Sequence, residues 1–335
     1  MIWPSEITCN NKITCPGLHT LDPFNCAGYE IVIFYPGRLF CTGISDSVLT
    51  LPGVCGTMDV IMYWQNDIAS RIIFIIIPNN SGSTVVYQNV SQCDNAVPMR
   101  SGIFTEGEKI VGMQFNARTT PMPVPFLYEP LWAGKDIPDP RPGLGRIWGA
   151  ERTEIFQDEQ RFDWGRIKEI WLENWMSNPK YTLESILVEK SPTSSAWAYM
   201  LPRQFPGARY ILSIRNPYAT IEGIRRRIMK NQNTRLDLGT CTRHWIKTAE
   251  LQIQNINRLP RSIWFTYEDM CAKTAEVENR IRTLIPELRA FHLTGITSMN
   301  EKSIWNLTGM ELRKINRRLE KHANLMDFFN YEFIN

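Results

Sequence analysis

The rhythm of apolar and polar positions changes partway along the chain. From Ala69 onward, short continuous apolar runs alternate with longer stretches whose apolar residues recur every three to four positions. The runs are "IIFIII" (72–77), "SILVEK" (185–190), "RYILSI" (209–214) and "SIWFTY" (262–267). Each is strand-sized and bounded by turn or polar residues. Runs of this kind are buried on both faces, as in a parallel sheet. The helical period predicts a helix over 84–92 and others over "DWGRIKEIWLENWMSN", "PYATIEGIRRRIMKN", "RHWIKTAELQIQNINRL" and "TAEVENRIRTLIPEL". A late amphipathic helix is predicted over "TGMELRKINRRLEKHANLMDFF". Strands alternating with helices predict an α/β fold with βαβ units around a central parallel sheet. Trp164, Trp171 and Trp175 lie seven and four residues apart, a helical stripe that reads as core.

The N-terminal part follows a different pattern. It is rich in Cys, Gly, Pro and Thr, with β-like runs "YEIVIFY" and "VIMYW". A small loop-rich extension over 1–66 is expected ahead of a domain over 67–335. Cys9, Cys15, Cys26, Cys41 and Cys55 fall in this segment, without a CxxC pair. That spacing gives little support to zinc, and both disulfides and free thiols remain open for it. Inside the domain, 119–149 is a proline- and glycine-rich excursion, readable as a cleft wall or a plain surface loop.

Composition narrows the function classes. The chain has 335 residues, 43 % apolar and 21 % charged, as in a soluble globular protein. A net charge of +3 gives no case for nucleic-acid binding, so anions must be met by local clusters. No apolar run reaches membrane-spanning length, and "MIWPSEITCNNKITCPG" is not patterned as a signal peptide. A cytoplasmic location is the expectation. The sequon Asn79-Asn80-Ser81, inside a candidate ligand loop, points the same way.

That loop is "PNNSGST", between the first strand of the domain and its first helix. Gly82 permits a turn closed to other residues. Ser81, Gly82, Ser83 and Thr84 would point successive N–H groups at one place, reinforced by the helix dipole and the Ser83 and Thr84 hydroxyls. The competing reading is an ordinary strand–helix turn capped by Ser or Thr. The pattern GxxxxGK[ST] is absent, and with it the lysine a nucleotide kinase needs.

The second half decides between these. "EKSP" at a strand end, then "FPGAR", then "YILSIRNPYA", then "IWFTYEDM", all downstream of "PNNSGST", resemble in order the sulfotransferases that use 3′-phosphoadenosine 5′-phosphosulfate, PAPS. The resemblance covers about 69–335 and implies a P-loop-type three-layer fold. It implies that residues Asn79 to Thr84 cradle the 5′-phosphate of PAPS and that Arg215 grips the 3′-phosphate. Lys190, at its strand end, stands where a catalytic or phosphate-contacting cation is wanted, or pairs with Glu189 or a neighbouring carboxylate. Glu106, in "SGIFTEGEK", stands where related enzymes place a glutamate base, with Glu108 as its rival. His244 is a third candidate base, or a packed structural residue. Tyr267 contacts the adenine or packs in the core. Arg225, Arg226 and Arg227 fan over most of a helical turn, so that one of them could face the nucleotide. The implied activity is sulfuryl transfer, without a metal, to a hydroxyl or amine of a carbohydrate, protein or metabolite. Two positions depart from the family pattern. Asn79 replaces the usual basic residue of the loop, and Gly223 replaces a serine eight residues after the arginine. These departures motivate the alternative of a degenerate nucleotide- or anion-binding protein without transfer activity.

Overall fold

The computed structural model describes residues 68–99, 164–190, 194–232 and 237–334, and the backbone of four further strands. The chain divides into two compact units, Met1–Gln65 and Asn66–Asn335. In the first, β1 (Glu30–Phe34) and β2 (Arg38–Thr42) form an antiparallel pair. The run "VIMYW", the N-terminal cysteines apart from Cys41, and the excursion 119–149 lie outside the described residues.

The second unit is built on five parallel strands: β3 (Ile72–Ile76), β4 (Ala96–Pro98), β7 (Ile186–Glu189), β8 (Arg209–Ile214) and β9 (Ser262–Thr266). Their order across the sheet is β4-β7-β3-β8-β9. A separate antiparallel hairpin joins β5 (Ile103–Glu106) to β6 (Lys109–Met113). All residues of β3, β7 and β8 are buried, which explains why apolar residues fill β3, Ile186–Val188 and Tyr210–Leu212.

Helices cover both faces of the sheet. On one side α1 (Ser83–Gln92) joins α7 (Tyr267–Ala272) and α8 (Thr274–Leu284). Their Val86, Val90, Met270, Val277 and Ile281 pack with Ile73, Ile75, Val188 and Ile211 from the strands. The opposite face is aromatic. Phe74 stacks on Tyr210, with ring centroids 5.7 Å apart, and Trp171 stacks on Phe205 at 5.6 Å. Trp171 belongs to α2 (Trp164–Met176), which carries the tryptophan stripe; all three tryptophans are buried in the core. Two short helices follow, α3 (Ser194–Trp197) and α4 (Leu201–Gln204).

The long pair α5 (Pro217–Gln232) and α6 (Leu238–Arg258) builds a second core around Tyr218, Ile221, Trp245 and Ala249. The expected start of α6 at Arg243 is corrected to Leu238. The Asp237 carboxylate caps it by accepting from the Thr240 N–H, a capping signal the apolar period does not carry. After α9 (Asn300–Ile304), the single late helix expected from the sequence is three pieces. These are α10 (Gly309–Leu319), a 3-10 turn over Glu320–His322, and α11 (Ala323–Phe328). The last expected strand also ends one residue early. Thr266 forms a capping box with Asp269, and Tyr267 opens α7.

From β3 the chain winds to β4 at one edge and returns as β7. It then crosses to β8 and winds outward to β9. The direction reverses between β3 and β8, so the connections leaving them diverge; such a switch point is where doubly wound sheets form their ligand crevice. Among the described residues no helix is long and apolar enough to cross a membrane.

Candidate functional site

The loop leaving β3 sits at one side of this crevice. Ser81 N–H donates to the Pro78 carbonyl at 3.2 Å, closing a tight turn. Asn80, inside that turn, has φ 61°, and Gly82 after it has φ 90° and ψ 4°. Gly82 is required for space as well as for its dihedral angle. A Cβ there would stand 2.9 Å from both the Met270 Cε and the Tyr267 Cδ2.

Gly82 is the residue preceding α1, and no side chain caps the helix. The first turn of α1 also lacks an acidic residue. Among the described residues no partner is found for the N–H groups of Gly82, Ser83 and Thr84. The loop is therefore not the Ser- or Thr-capped turn of the competing reading. It presents free N–H groups and the positive end of a helix dipole without internal compensation. Asn79 is half-buried and contributes its carbonyl to the Ser81 hydroxyl at 3.5 Å.

Arg215 faces the loop from the end of β8. It is 7 % exposed. Its Nη1 donates to the Asn80 carbonyl at 3.0 Å, and its Nε to Asn300 Oδ1 at 2.7 Å. Nη2 is buried with no hydrogen-bond partner. The guanidinium lies 4.4 Å from the centroid of the Tyr267 ring. Burial pushes the Arg215 pKa down; the surrounding Tyr267, Glu268, Cys271 and Tyr331 push it back up. A buried guanidinium with one unused N–H edge is suited to receive an anion, because the orphaned donor carries a desolvation cost that an oxyanion would relieve.

The residues around Arg215 fix its position. Asn216 caps α5, with Oδ1 accepting from the N–H groups of Tyr218 at 3.0 Å and Ala219 at 3.2 Å. Pro217 then takes the first helical position, where its missing N–H costs nothing. The Glu268 carboxylate accepts from the Asn216 N–H at 3.1 Å, from Asn300 Nδ2, and from the Tyr331 hydroxyl at 2.9 Å. Trp245 Nε1 donates to the Arg215 carbonyl at 2.9 Å. Buried Gln252 donates through Nε2 to the carbonyls of Ile76 and Ser213, each at 2.8 Å, tying the ends of β3 and β8 together beneath the crevice.

Sequence reasoning missed Asn300, Glu268, Gln252 and Tyr331. Only Glu268 stood in a recognisable motif, "TYEDM". Tyr267 is the platform under Arg215. Its ring borders both the guanidinium and Gly82, and its hydroxyl donates to the Thr297 carbonyl at 3.0 Å. It packs against the arginine.

Lys190 follows β7 on the same edge of the sheet and is buried. Beside it Glu189 is buried too, and burial pushes its carboxyl up to about 8 against the opposing effect of Lys190. Glu106 ends β5, paired in register with Lys109 across the hairpin. Its side chain, the whole of Glu108, and the Arg227 side chain lie outside the described residues. Arg225 does not face the loop. It binds Glu222 at 2.8 Å and Glu311 at 2.6 Å, joining α5 to α10 and drawing the Glu311 carboxyl down to about 2. Arg226 is half-buried.

His244 is buried on α6, and burial lowers its pKa to about 4. Its folded value lies below the ordinary one of about 6.5, so the unfolded chain takes up the proton first as pH falls. Stability is therefore lost as pH drops from about 6.5 towards 4. A change from about pH 7.5 to about pH 5 should remove about 2 kcal/mol through this residue alone. Chemical unfolding at the two pH values should show a smaller loss in His244→Gln than in the wild type. Equal losses would contradict the assignment of a buried neutral imidazole.

Among the described residues there is no cluster of three or more His, Cys, Asp or Glu side chains that could hold a metal ion. A family model described as "Sulfotransferase family" matches residues 73–285. Distant solved structures include sulfotransferase STF9 from Mycobacterium avium, at 14 % identity and TM-score 0.46, covering 82 % of each chain. A sulfotransferase from Alicyclobacillus acidocaldarius matches at 9 % identity and TM-score 0.46, covering 78 % of this chain and 96 % of that one. No curated protein matches the chain.

Proposed function

Because the chain belongs to the sulfotransferase family, we propose that it moves a sulfuryl group from PAPS to a hydroxyl or amine of a carbohydrate, protein or metabolite acceptor. The observation that carries this reading is the pairing, across the β3–β8 crevice, of two receptors for anions. One is the uncapped N-terminus of α1 behind Gly82; the other is Arg215 with its unpartnered Nη2. A nucleotide with phosphates at both ends of one ribose needs two such receptors, and ATP-type chemistry would need a loop lysine that is absent.

When bound, PAPS supplies an activated sulfuryl group, whose sulfur the acceptor oxygen attacks as the bond to the 5′-phosphate breaks. In this reading the N–H groups of Gly82, Ser83 and Thr84 hold the 5′-phosphate and take up the charge that develops on it. Arg215 anchors the 3′-phosphate, which fixes the in-line geometry. Lys190 adds positive charge at the same sheet edge. Glu106 takes the acceptor proton.

The test is turnover of PAPS on a panel of hydroxyl and amine acceptors, read as release of 3′-phosphoadenosine 5′-phosphate together with a sulfated product. Product formation that falls in Lys190→Ala supports the reading. Tight nucleotide binding with no product on any acceptor would favour the degenerate binding protein, which Asn79 and Gly223 motivate.

A further inference from the structure

One of the two departures from the family pattern, Gly223, lies against the neighbour of the other. The loop residue that faces Gly223 is Asn80. A Cβ on residue 223 would lie 3.7 Å from Asn80 Cγ and 3.9 Å from its Oδ1. The Asn80 side chain therefore stands beside the place where a serine at 223 would project. Among the described residues its carboxamide has no hydrogen-bond partner, while its main-chain carbonyl accepts from Arg215 Nη1 at 3.0 Å. The residue holds φ 61°, a left-handed conformation that asparagine tolerates better than most residues. Asn80 thus brings an unused amide donor next to an arginine that also has an unused donor, Nη2.

We propose that the Asn80 carboxamide, acting with Arg215, recognises the 3′-phosphate of the nucleotide in place of the hydroxyl that Gly223 lacks, and so sets the preference for 3′-phosphorylated over 3′-hydroxyl adenylates. This rests on the donor-binding reading above. A serine at 223 would approach from α5, whereas Asn80 reaches the same place from the loop. The loss at one position is thereby offset by a neighbour at the other.

The experiment compares equilibrium binding of 3′-phosphoadenosine 5′-phosphate and adenosine 5′-phosphate to the wild type, Asn80→Gly, and Asn80→Gly with Gly223→Ser. Glycine keeps the left-handed turn without strain, so the first variant removes only the amide. The expected result is a preference for the bisphosphate in the wild type and a loss of about tenfold in bisphosphate affinity in Asn80→Gly. That factor corresponds to one hydrogen bond to a charged group. Affinity for adenosine 5′-phosphate should stay within about twofold, and Gly223→Ser should recover much of the loss. An Asn80→Gly variant that keeps the wild-type preference overturns the proposal and leaves the donor-binding reading intact. Equal weakening of both ligands also overturns it, because the amide would then serve the loop and not the 3′-phosphate. A wild type with no preference overturns the donor-binding reading itself, and the proposal with it.

Discussion

Arg215→Ala is expected to weaken binding of 3′-phosphoadenosine 5′-phosphate by at least about a hundredfold, because a paired set of charge-assisted hydrogen bonds is lost at once. Folding should suffer far less. Glu268 keeps its hydrogen bonds from Asn300, the Asn216 N–H and Tyr331, so no buried carboxylate is stranded when the guanidinium goes. The arginine itself is buried with an orphaned Nη2, so removing it also relieves a desolvation cost. Titration calorimetry beside thermal melting separates the two effects. Lost binding in a protein that melts near the wild-type temperature supports Arg215 as the 3′-phosphate receptor. Undiminished binding would remove it from the site. Arg215→Lys should recover little, since an ammonium cannot span Asn80, Asn300 and a phosphate together.

Gly82→Ala is expected to be the most destabilising single-methyl change in the loop. The φ of 90° is strained for a residue with a Cβ, at about 1–2 kcal/mol. The new methyl would also meet Met270 and Tyr267 at 2.9 Å, in a packed core where overpacking costs about 1–3 kcal/mol. Together these give a loss of about 2–5 kcal/mol in unfolding free energy. Binding should fall as well, because the Tyr267 ring that must move is the platform under Arg215. Gly223→Ala is the control. It sits within a helix, its Cβ meets only ordinary contacts at 3.7 Å, and replacing a helical glycine gains up to about 1 kcal/mol. Denaturant unfolding of both variants should therefore give opposite signs. A Gly82→Ala protein as stable as the wild type would contradict the close packing of the loop against α7.

The elements that carried strong local signals were legible in the sequence. The buried strands β3, β7 and β8 are continuous apolar runs, and α1, α2 and α5 follow from period and punctuation. The edge strand β4 has three residues, too short to show a pattern. The break between α10 and α11 was not visible, because the sequence keeps an amphipathic pattern through the 3-10 turn at Glu320–His322.

At the site, Gly82 and Arg215 were legible because each is special in its local context, a glycine before a helix and an arginine at a strand end. Asn300, Gln252 and Tyr331 act across long sequence separations, and nothing near them marks them. Arg225 illustrates the converse. Its place in a basic run suggested a ligand, but a run cannot reveal that Glu222 and Glu311 take up its charge. Asn79 and Gly223 stood out as two departures, but only the fold shows that Asn80, the neighbour of Asn79, lies against Gly223.

The most direct test of the central claim, that the β3–β8 crevice is a receptor for a 3′,5′-bisphosphorylated nucleotide, is the melting temperature of the wild-type protein with 3′-phosphoadenosine 5′-phosphate. Adenosine 5′-phosphate and ATP with magnesium serve as controls. A ligand that binds only the folded state raises the midpoint as its concentration exceeds its dissociation constant. The account predicts a saturable rise with the bisphosphate that exceeds the rise with either control and disappears in Arg215→Ala. No rise with the bisphosphate, or an equal rise with ATP and magnesium, would contradict it.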